Sequence, residues 1–236
     1  MKTIIFAGPS ISHQQLAGMT TADIAPPIRR GDIDQFSEHD LFVILDGEFG
    51  QNLSVSPKEI LSLLNARKIV IGASSMGALR ASELDTCGMI GVGWVYEHFT
   101  SAAFRRDDDV ALAYSPLDLS PITVPTIDVE YWTALLFERN LISTKEKKII
   151  CQTTRKIFYA ERTEGKLMRE LERVIGSNRL KHLLTYTSGV IPNIKYLDAI
   201  QAVELQESAC KLLTSAEQES KGDLKWNPQN ILRTMA

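Results

Sequence analysis

The chain has 236 residues, of which 44% are hydrophobic and 23% charged, as in an ordinary globular protein. A formal net charge of -3 argues against a general nucleic-acid-binding surface. No apolar run reaches the roughly 20 residues that a membrane helix needs, so we expect no membrane segment. The cysteines and histidines are scattered without metal-ligand spacing. We therefore expect a cytoplasmic protein with no metal and no cofactor.

The first half of the chain alternates predicted strands with predicted helices. Buried-strand patterns occur at residues 3–7, near residue 24, and at residues 41–45 and 69–71. The sequence Ser56-Pro57-Lys58-Glu59 is a capping box with proline in the first helical position. Single helices between strands imply parallel pairing with right-handed crossovers. We therefore predict an α/β fold, with an open and mostly parallel sheet that carries helices on both faces.

The second half is predicted to be helical. Ser143-Thr144-Lys145-Glu146 is another capping box, and a long helix is expected over about residues 193–220. The last strand-like segment is residues 110–114. We predict an α/β core over residues 1–120 and a helical C-terminal region over residues 121–236. This region would be a lid or a docking surface for a partner.

The stretch KIVIGASSMGALRASEL, residues 68–84, has the strongest functional pattern. A β-branched run leads through small residues into a helical composition, and such a tight turn presents free backbone N–H groups that can hold an anion. The turn resembles the G-x-S-x-G elbow of serine hydrolases, except that Ala73 stands where the first glycine would be. Ser75 fits this frame best and Ser74 is the neighbouring candidate. Either hydroxyl could instead be a helix cap.

Three segments follow predicted strands, namely residues 8–10, 46–48 and 72–75. Because the carboxyl ends of parallel strands meet at one edge of a sheet, we expect these segments to lie together, and we call them the rim. Asp32 would approach the rim from an intervening loop. The competing interpretation is that Gly, Pro, Asp and Ser simply form turns after strands.

Two further stretches have weaker patterns. Residues 88–94 are glycine-dense and are expected to form a loop. They lack the G-x-G-x-x-G order of a dinucleotide fingerprint. Asp107, Asp108 and Asp109 could bind a cation or a basic partner. They could equally form a solvated, charged loop.

The motifs resemble those of the TfuA-like family over about residues 6–113. Tyr114 stands where the family pattern has a histidine. The Gly72 to Leu84 block is the longest and most specific match. The matching motifs lie at residues 6–10, 26–27, 30–33, 46–49, 72–84, 88–93 and 107–111.

The resemblance implies a role beside a YcaO-family enzyme in replacing a peptide amide oxygen with sulfur, as in the biosynthesis of ribosomally made, modified peptides. Similar proteins are thought to hydrolyse a thiocarboxylated, ubiquitin-like (ThiS-like) sulfur carrier and release sulfide. The implied partners are the YcaO protein, the carrier and the precursor peptide. Cleavage of a thiocarboxylate is acyl chemistry, which needs a nucleophile or activated water and an oxyanion hole.

The resemblance and the elbow pattern together suggest catalytic roles. Ser75 or Ser74 would be the nucleophile, and Asp46 would activate water or position a base. The N–H groups of residues 76 and 77 would form the oxyanion hole. Gly72 and Gly77 would leave room for the Gly-Gly tail of the carrier. Arg80 would steer the carboxyl end of the carrier. The predicted substrate-binding residues are Gly8, Ser10, Asp32, Gly72, Met76, Gly77 and Arg80.

Two other classes of function stay open at this point. The first is a non-catalytic partner that binds the YcaO protein and the carrier and activates them allosterically; the two serines would then be a cap and a turn. The second is a nucleotide- or phosphate-binding enzyme that uses the same rim. The chain lacks both G-x-x-x-x-G-K-[ST] and G-x-G-x-x-G, which weakens this second alternative.

Overall fold

The structure is a computed structural model that describes residues 1–50, 52–101 and 106–219, with the backbone alone for residues 212–219. The described residues form two compact units. The first comprises the residues before Arg106 together with those after Ile194, and the second is Arg106–Ile194. The predicted domain boundary at residue 120 stays a prediction.

The first unit contains a five-stranded, all-parallel sheet with the strand order 2-1-3-4-5. The predicted fold class is confirmed. The expectation of a loop over residues 88–94 is wrong for its central part, because Ile90–Val92 forms a short edge strand that pairs in parallel with the strand Ile69–Ala73. The strands are β1 (Thr3–Phe6), β2 (Asp23–Ala25), β3 (Leu41–Ile44), β4 (Ile69–Ala73) and β5 (Ile90–Val92).

Nine α-helices lie in the described part of the chain. The capping boxes at Ser56 and Ser143 both begin helices as predicted, and each serine Oγ accepts a hydrogen bond from the N–H three residues on. The helices are α1 (His13–Ala17), α2 (Pro57–Asn65), α3 (Met76–Leu84), α4 (Trp94–Ser101), α5 (Thr126–Glu138), α6 (Thr144–Arg155), α7 (Glu164–Ile175), α8 (Ser177–Thr185) and α9 (Ile194–Glu219).

Different helices cover the two faces of the sheet. Alternate strand residues point to opposite faces, so each strand contributes to two apolar layers. On one face, Ile5, Val43 and Ile71 pack in a cluster with residues of α1 and α9. On the other face, Phe42 and Val70 pack in a cluster with residues of α2 and α3. The return of α9 to the sheet is therefore part of the first unit's core.

The second unit has a separate apolar core formed by α5 to α8. The strand predicted at residues 110–114 is wrong, because this segment follows a 3₁₀ turn and forms only an isolated bridge between Tyr114 and Pro121. Val110 and Ala111 are buried but belong to none of the strands in the described part of the chain, so their apolar character reflects packing. None of the helices in the described ranges has the length and apolar character needed to cross a membrane.

Candidate functional site

The rim contains a buried carboxylate at the point where the strand order reverses between β1 and β3. Ligands of open α/β sheets bind at such a switch point, beyond the carboxyl ends of the strands. Asp46 lies two residues after the end of β3 and is only 2% exposed. Its Oδ2 accepts hydrogen bonds from the N–H groups of Gly8 and Ser10 at 2.9 and 3.0 Å, and its Oδ1 accepts one from Ser10 Oγ at 2.6 Å. The structure thus brings together Gly8, Ser10 and Asp46.

The turn between β4 and α3 has an unusual backbone. Ser74 has a φ of 68°, a left-handed conformation that is unfavourable for a residue with a side chain. The N–H of Ser75 donates to the carbonyls of Ala73 at 2.8 Å and Leu45 at 3.2 Å, which holds the turn against the end of β3. The G-x-S-x-G pattern aligns Ser75 with the nucleophile position. The strained, left-handed backbone typical of a nucleophile elbow is instead found at Ser74. The choice between the two hydroxyls stays a prediction.

The two serines differ in their contacts. Ser74 is fully buried, and its Oγ donates a hydrogen bond to the carbonyl of Lys195 at 2.8 Å. Ser75 is 5% exposed and precedes α3, but its side chain makes no capping hydrogen bond. Ser74 therefore already has a structural partner, whereas the Ser75 hydroxyl is not used to cap the helix.

Lys195, in the first turn of α9, is a site residue that the sequence analysis missed. It is 2% exposed, and its Nζ lies 4.0 Å from Oδ1 of Asp46. A lysine is rarely so buried unless it is paired. A signal was present in the sequence, because Lys195 and Asp198 share the helical spacing of the buried Ala199 and Ala202. Charges on an apolar helix face indicate a special environment.

Asp198 lies one turn after Lys195 and caps α4. Its carboxylate accepts hydrogen bonds from the N–H groups of Trp94 at 2.9 Å and Val95 at 2.8 Å. Burial raises the pKa of Asp198 to about 7, although these two hydrogen bonds oppose the shift. Gly93 permits this approach, since a Cβ there would lie 2.3 Å from the carboxyl carbon of Asp198. The rim side of the sheet thus contains a second buried carboxylate.

Gly72 and Gly77 leave space that the chain itself fills. A Cβ on Gly72 would lie 2.2 Å from the Gly77 carbonyl oxygen, and one on Gly77 would lie 1.7 Å from the Ile44 carbonyl oxygen. The N–H of Gly77 donates to Leu45 at 3.4 Å, so an oxyanion role would require this bond to break. Close packing of α3 on β3 and β4 therefore accounts for both glycines, and their roles at a substrate tail stay predictions. Met76 is buried at the start of α3.

Arg80 and Asp32 have local partners. Arg80 Nε donates to the carbonyl of Val55 at 2.9 Å, and one of its terminal nitrogens pairs with Glu83 at 2.7 Å. Asp32 accepts a hydrogen bond from the N–H of Arg29 at 2.7 Å. These contacts do not join either residue to Asp46 or the serines, and the proposed substrate roles of both stay predictions.

The acidic run lies in the second unit and has mixed surroundings. Asp108 is paired with Arg106 at 2.9 Å, whereas Asp109 is buried and lies 3.3 Å from Arg155. Arg155 also forms an ion pair with Glu130. Burial, and then the charge of Glu130, raise the pKa of Asp109. Only part of the run is therefore a solvated loop, and Asp109 connects the 3₁₀ turn to α6.

A cavity of about 460 Å³ lies beside β5 and α4 and contains none of the predicted site residues. Within the ranges that the structure describes, no three histidine, cysteine, aspartate or glutamate residues are grouped to hold a metal ion. The cavity is lined by Asp85, Thr86, Met89, Ile90, Gly91, Gly93, Tyr96 and Glu97.

The fold and site define an open parallel α/β protein with a buried aspartate–lysine pair beside a serine turn. Residues 46–163, half of the chain, match the family model described as TfuA-like protein. The chain belongs to the TfuA-like family, and the resemblance inferred from its motifs is confirmed. The matched range includes Asp46 and both serines but ends before Lys195. No curated protein matches the chain.

Proposed function

We propose that this protein hydrolyses a thiocarboxylated, ubiquitin-like (ThiS-like) sulfur carrier and supplies sulfide to a YcaO-family enzyme for backbone thioamidation of a precursor peptide. Membership of the TfuA-like family supports the association with YcaO thioamidation systems. The observation that carries the hydrolytic step is the serine turn at Ser74 and Ser75, whose strained backbone adjoins the buried Asp46–Lys195 pair.

The reaction balances without an oxidant, a reductant or a cofactor. A thiocarboxylate anion and water give a carboxylate anion and hydrogen sulfide. A C–O bond forms and the C–S bond breaks, and the sulfur leaves with both protons of the water. If a serine attacks first, its Oγ forms an ester on the carrier while the sulfur leaves, and water then cleaves that ester.

The roles follow from the contacts. Ser75 is the preferred nucleophile in this proposal, because its hydroxyl does not cap α3, whereas Ser74 Oγ is bonded to the Lys195 carbonyl. Asp46 orients the loop of Gly8 and Ser10 through three accepted hydrogen bonds. The N–H of Met76, at the N-terminus of α3, is the preferred oxyanion donor.

One observation favours the non-catalytic alternative. Ser74 has no exposed surface and its hydroxyl fixes the start of α9, as a purely structural residue would. In that case the protein would bind the YcaO enzyme and the carrier and activate the enzyme without cleaving the carrier. The two candidates differ in whether the purified protein releases sulfide on its own.

The three cysteines are thiols that form no disulfide with one another, with Cys87 exposed and Cys151 and Cys210 partly buried. Free thiols suit the reducing cytoplasm, where we propose that the protein acts. The hydrolytic mechanism places no sulfur on the protein, so it needs no cysteine. Replacing Cys87 with serine should therefore leave sulfide release unchanged.

The test is sulfide release from a thiocarboxylated carrier by the purified protein, with mass spectrometry of the carrier. Wild type is compared with Ser74→Ala, Ser75→Ala and a control, Ser82→Ala, whose Oγ donates to a carbonyl inside α3. Release that is lost in folded Ser75→Ala and kept in Ser82→Ala supports hydrolysis with Ser75 as nucleophile. If wild type releases no sulfide but still activates the YcaO partner, hydrolysis is refuted and the non-catalytic alternative is supported.

A further inference from the structure

The cavity of about 460 Å³ lies beside β5, the edge strand of the sheet, and the proposed reaction does not use it. Ligand pockets of proteins have volumes of about 300–1,000 Å³ and combine apolar walls with a few polar groups. The lining of this cavity combines apolar and aromatic residues, such as Met89 and Tyr96, with the carboxylates of Asp85 and Glu97. All of its lining residues belong to the first unit. The cavity is therefore a candidate binding site within one unit of the protein.

The charged residues that line this cavity are all of one sign. Asp85 and Glu97 are acidic, and the described lining residues include no lysine, arginine or histidine. A third carboxyl group, that of Asp198, packs against the lining residue Gly93, since a Cβ there would lie 2.3 Å from its carboxyl carbon. A cleft lined by charges of one sign concentrates ligands of the opposite sign. The cavity is therefore suited to a cation.

Tyr96 fixes the position of one of these carboxylates. Its hydroxyl donates a hydrogen bond to Oδ2 of Asp85 at 3.2 Å. Its ring packs on β5, because a Cβ on Gly91 would lie only 2.2 Å from the nearest ring carbon. The absence of a side chain on Gly91 thus lets the ring lie against the edge strand. A cation close to a tyrosine ring is attracted by the negative face of the ring. Tyr96 therefore contributes to the site both through its ring and through Asp85.

We propose that this cavity binds a cationic group on an apolar stem, as in the side chain of arginine or lysine. The carboxylates of Asp85 and Glu97 bind the charged end, and the apolar lining contacts the methylene groups of the stem. An arginine guanidinium fits this lining well, because it pairs with carboxylates and stacks on aromatic rings. The source of the cation is a basic side chain of a peptide or a small diffusible amine. The site lies outside the rim, and the inference does not rest on the proposed function.

The test uses three probes: a blocked Ala-Arg-Ala peptide, the same peptide with citrulline in place of arginine, and agmatine. Citrulline has nearly the shape of arginine but no charge. Titration of wild type, followed by NMR, should show that the arginine peptide binds about five-fold or more tightly than the citrulline peptide. The amide signals of Gly91 and Gly93 should shift, because both residues line the cavity.

Two double variants test whether the cavity carboxylates cause this preference. Asp85→Asn with Glu97→Gln should bind the arginine and citrulline peptides equally. The matched control, Glu138→Gln with Glu204→Gln, removes two exposed carboxylates that do not line the cavity and should keep the full preference.

The proposal is overturned if wild type binds the arginine and citrulline peptides equally, or if the folded cavity variant keeps the preference. Binding that leaves the signals of Gly91 and Gly93 unchanged also overturns it, because the peptide then binds elsewhere. Since Asp85 is partly buried, Glu97→Lys provides a second variant at an exposed position of α4. It should weaken binding of the arginine peptide and leave binding of the citrulline peptide unchanged. Unchanged affinity for the arginine peptide in Glu97→Lys would contradict the proposal.

Agmatine distinguishes the two sources of the cation. If agmatine binds as tightly as the arginine peptide, the site is supported and its ligand is a small amine. Tighter binding of the peptide supports the site and assigns it to a basic side chain of a peptide partner. These measurements use neither the sulfur carrier nor the YcaO enzyme, so their outcome is independent of whether the protein releases sulfide.

Discussion

The two ends of the β-sheet carry the same kind of ion pair in opposite environments. At the amino ends, Lys68 and Asp40 lie 3.6 Å apart, and their side chains are 23% and 54% exposed. At the carboxyl ends, Lys195 and Asp46 lie 4.0 Å apart and are almost fully buried. Water screens the first pair, which contributes about 0–1 kcal/mol. The second pair is held in a low dielectric by the protein around it.

This comparison shows that residue type alone does not indicate a site. Lysine and aspartate next to the ends of strands occur on both sides of the sheet, but only the environment separates an ordinary surface pair from a candidate site. The fold removes the charges of Asp46 and Lys195 from water at the rim. The strand order reverses there, and ligands bind at such points in open sheets. Three predictions test this contrast.

The largest expected effect is the difference in stability loss when the aspartate of each ion pair is replaced. Asp46→Ala should lower the free energy of unfolding by about 3–5 kcal/mol, because it removes the carboxylate that faces the buried Lys195 ammonium and the acceptor for two backbone N–H groups. Asp40→Ala should cost about 0–1 kcal/mol. Urea unfolding of both variants measures the difference. Equal losses would contradict the contrast between the two ends.

The second effect concerns the pH dependence of stability. Asp198 has a folded-state pKa of about 7, above its ordinary value of 3.8, and lies near Glu97 and one turn from Lys195. Its stabilising contribution is therefore present below about pH 4 and is lost as the pH rises to about 7, at up to about 1.4 kcal/mol per pH unit. Wild type should lose stability relative to Asp198→Asn over this window.

Asp23, at the amino end of β2, provides the opposite sign for comparison. Its pKa is lowered, chiefly by the hydrogen bond from His39 at 2.9 Å. Its contribution is present above its unfolded pKa and is lost as the pH falls. Wild type should therefore lose stability relative to Asp23→Asn on acidification. Parallel pH curves for wild type and both variants would show that neither carboxyl group is perturbed.

The smallest expected effect is the change in stability when glycine replaces each of the two left-handed residues that flank β4. Arg67 has a φ of 60° and follows α2, and Ser74 has a φ of 68°. Arg67→Gly should stabilise the protein by up to about 1 kcal/mol, because glycine relieves the strain. Ser74→Gly relieves the same strain but removes the hydrogen bond to Lys195, and its stability should be lower than that of Arg67→Gly by about 1–3 kcal/mol. Thermal unfolding of both variants measures this; equal shifts would mean that the Ser74 hydroxyl contributes nothing.

The parts of the fold that could be predicted are those set by neighbouring residues. Each capping box specifies a helix start within four residues, and both were correct. The strands β1, β3 and β4 have apolar runs long enough to be recognised. The strand β5 was missed because it has three residues and a central glycine, so its pairing with β4 comes from the sheet and not from its own pattern.

The candidate site could be predicted only in part, because only some of its residues are placed by their neighbours in the sequence. Asp46, Ser74 and Ser75 follow strands, and the crevice rule places such residues together. Lys195 comes from a helix far along the chain, and no local pattern indicates that α9 packs on the sheet. The segment at residues 110–114 gave the reverse error, because an apolar run without a partner strand is buried without forming one.

The hydrogen bond from Ser74 to Lys195 joins residues 121 positions apart. Forming it closes a long loop, whose entropy cost must be met by the packing of α9 on the sheet. During synthesis, the strands and the serine turn leave the ribosome well before Lys195 does, since chains emerge from the N-terminus. Until α9 has docked, the Ser74 hydroxyl lacks the Lys195 carbonyl as its acceptor, and Asp46 lacks the nearby Lys195 ammonium. The contacts around the serine turn are therefore complete only once the helix farthest along the chain has folded onto the sheet.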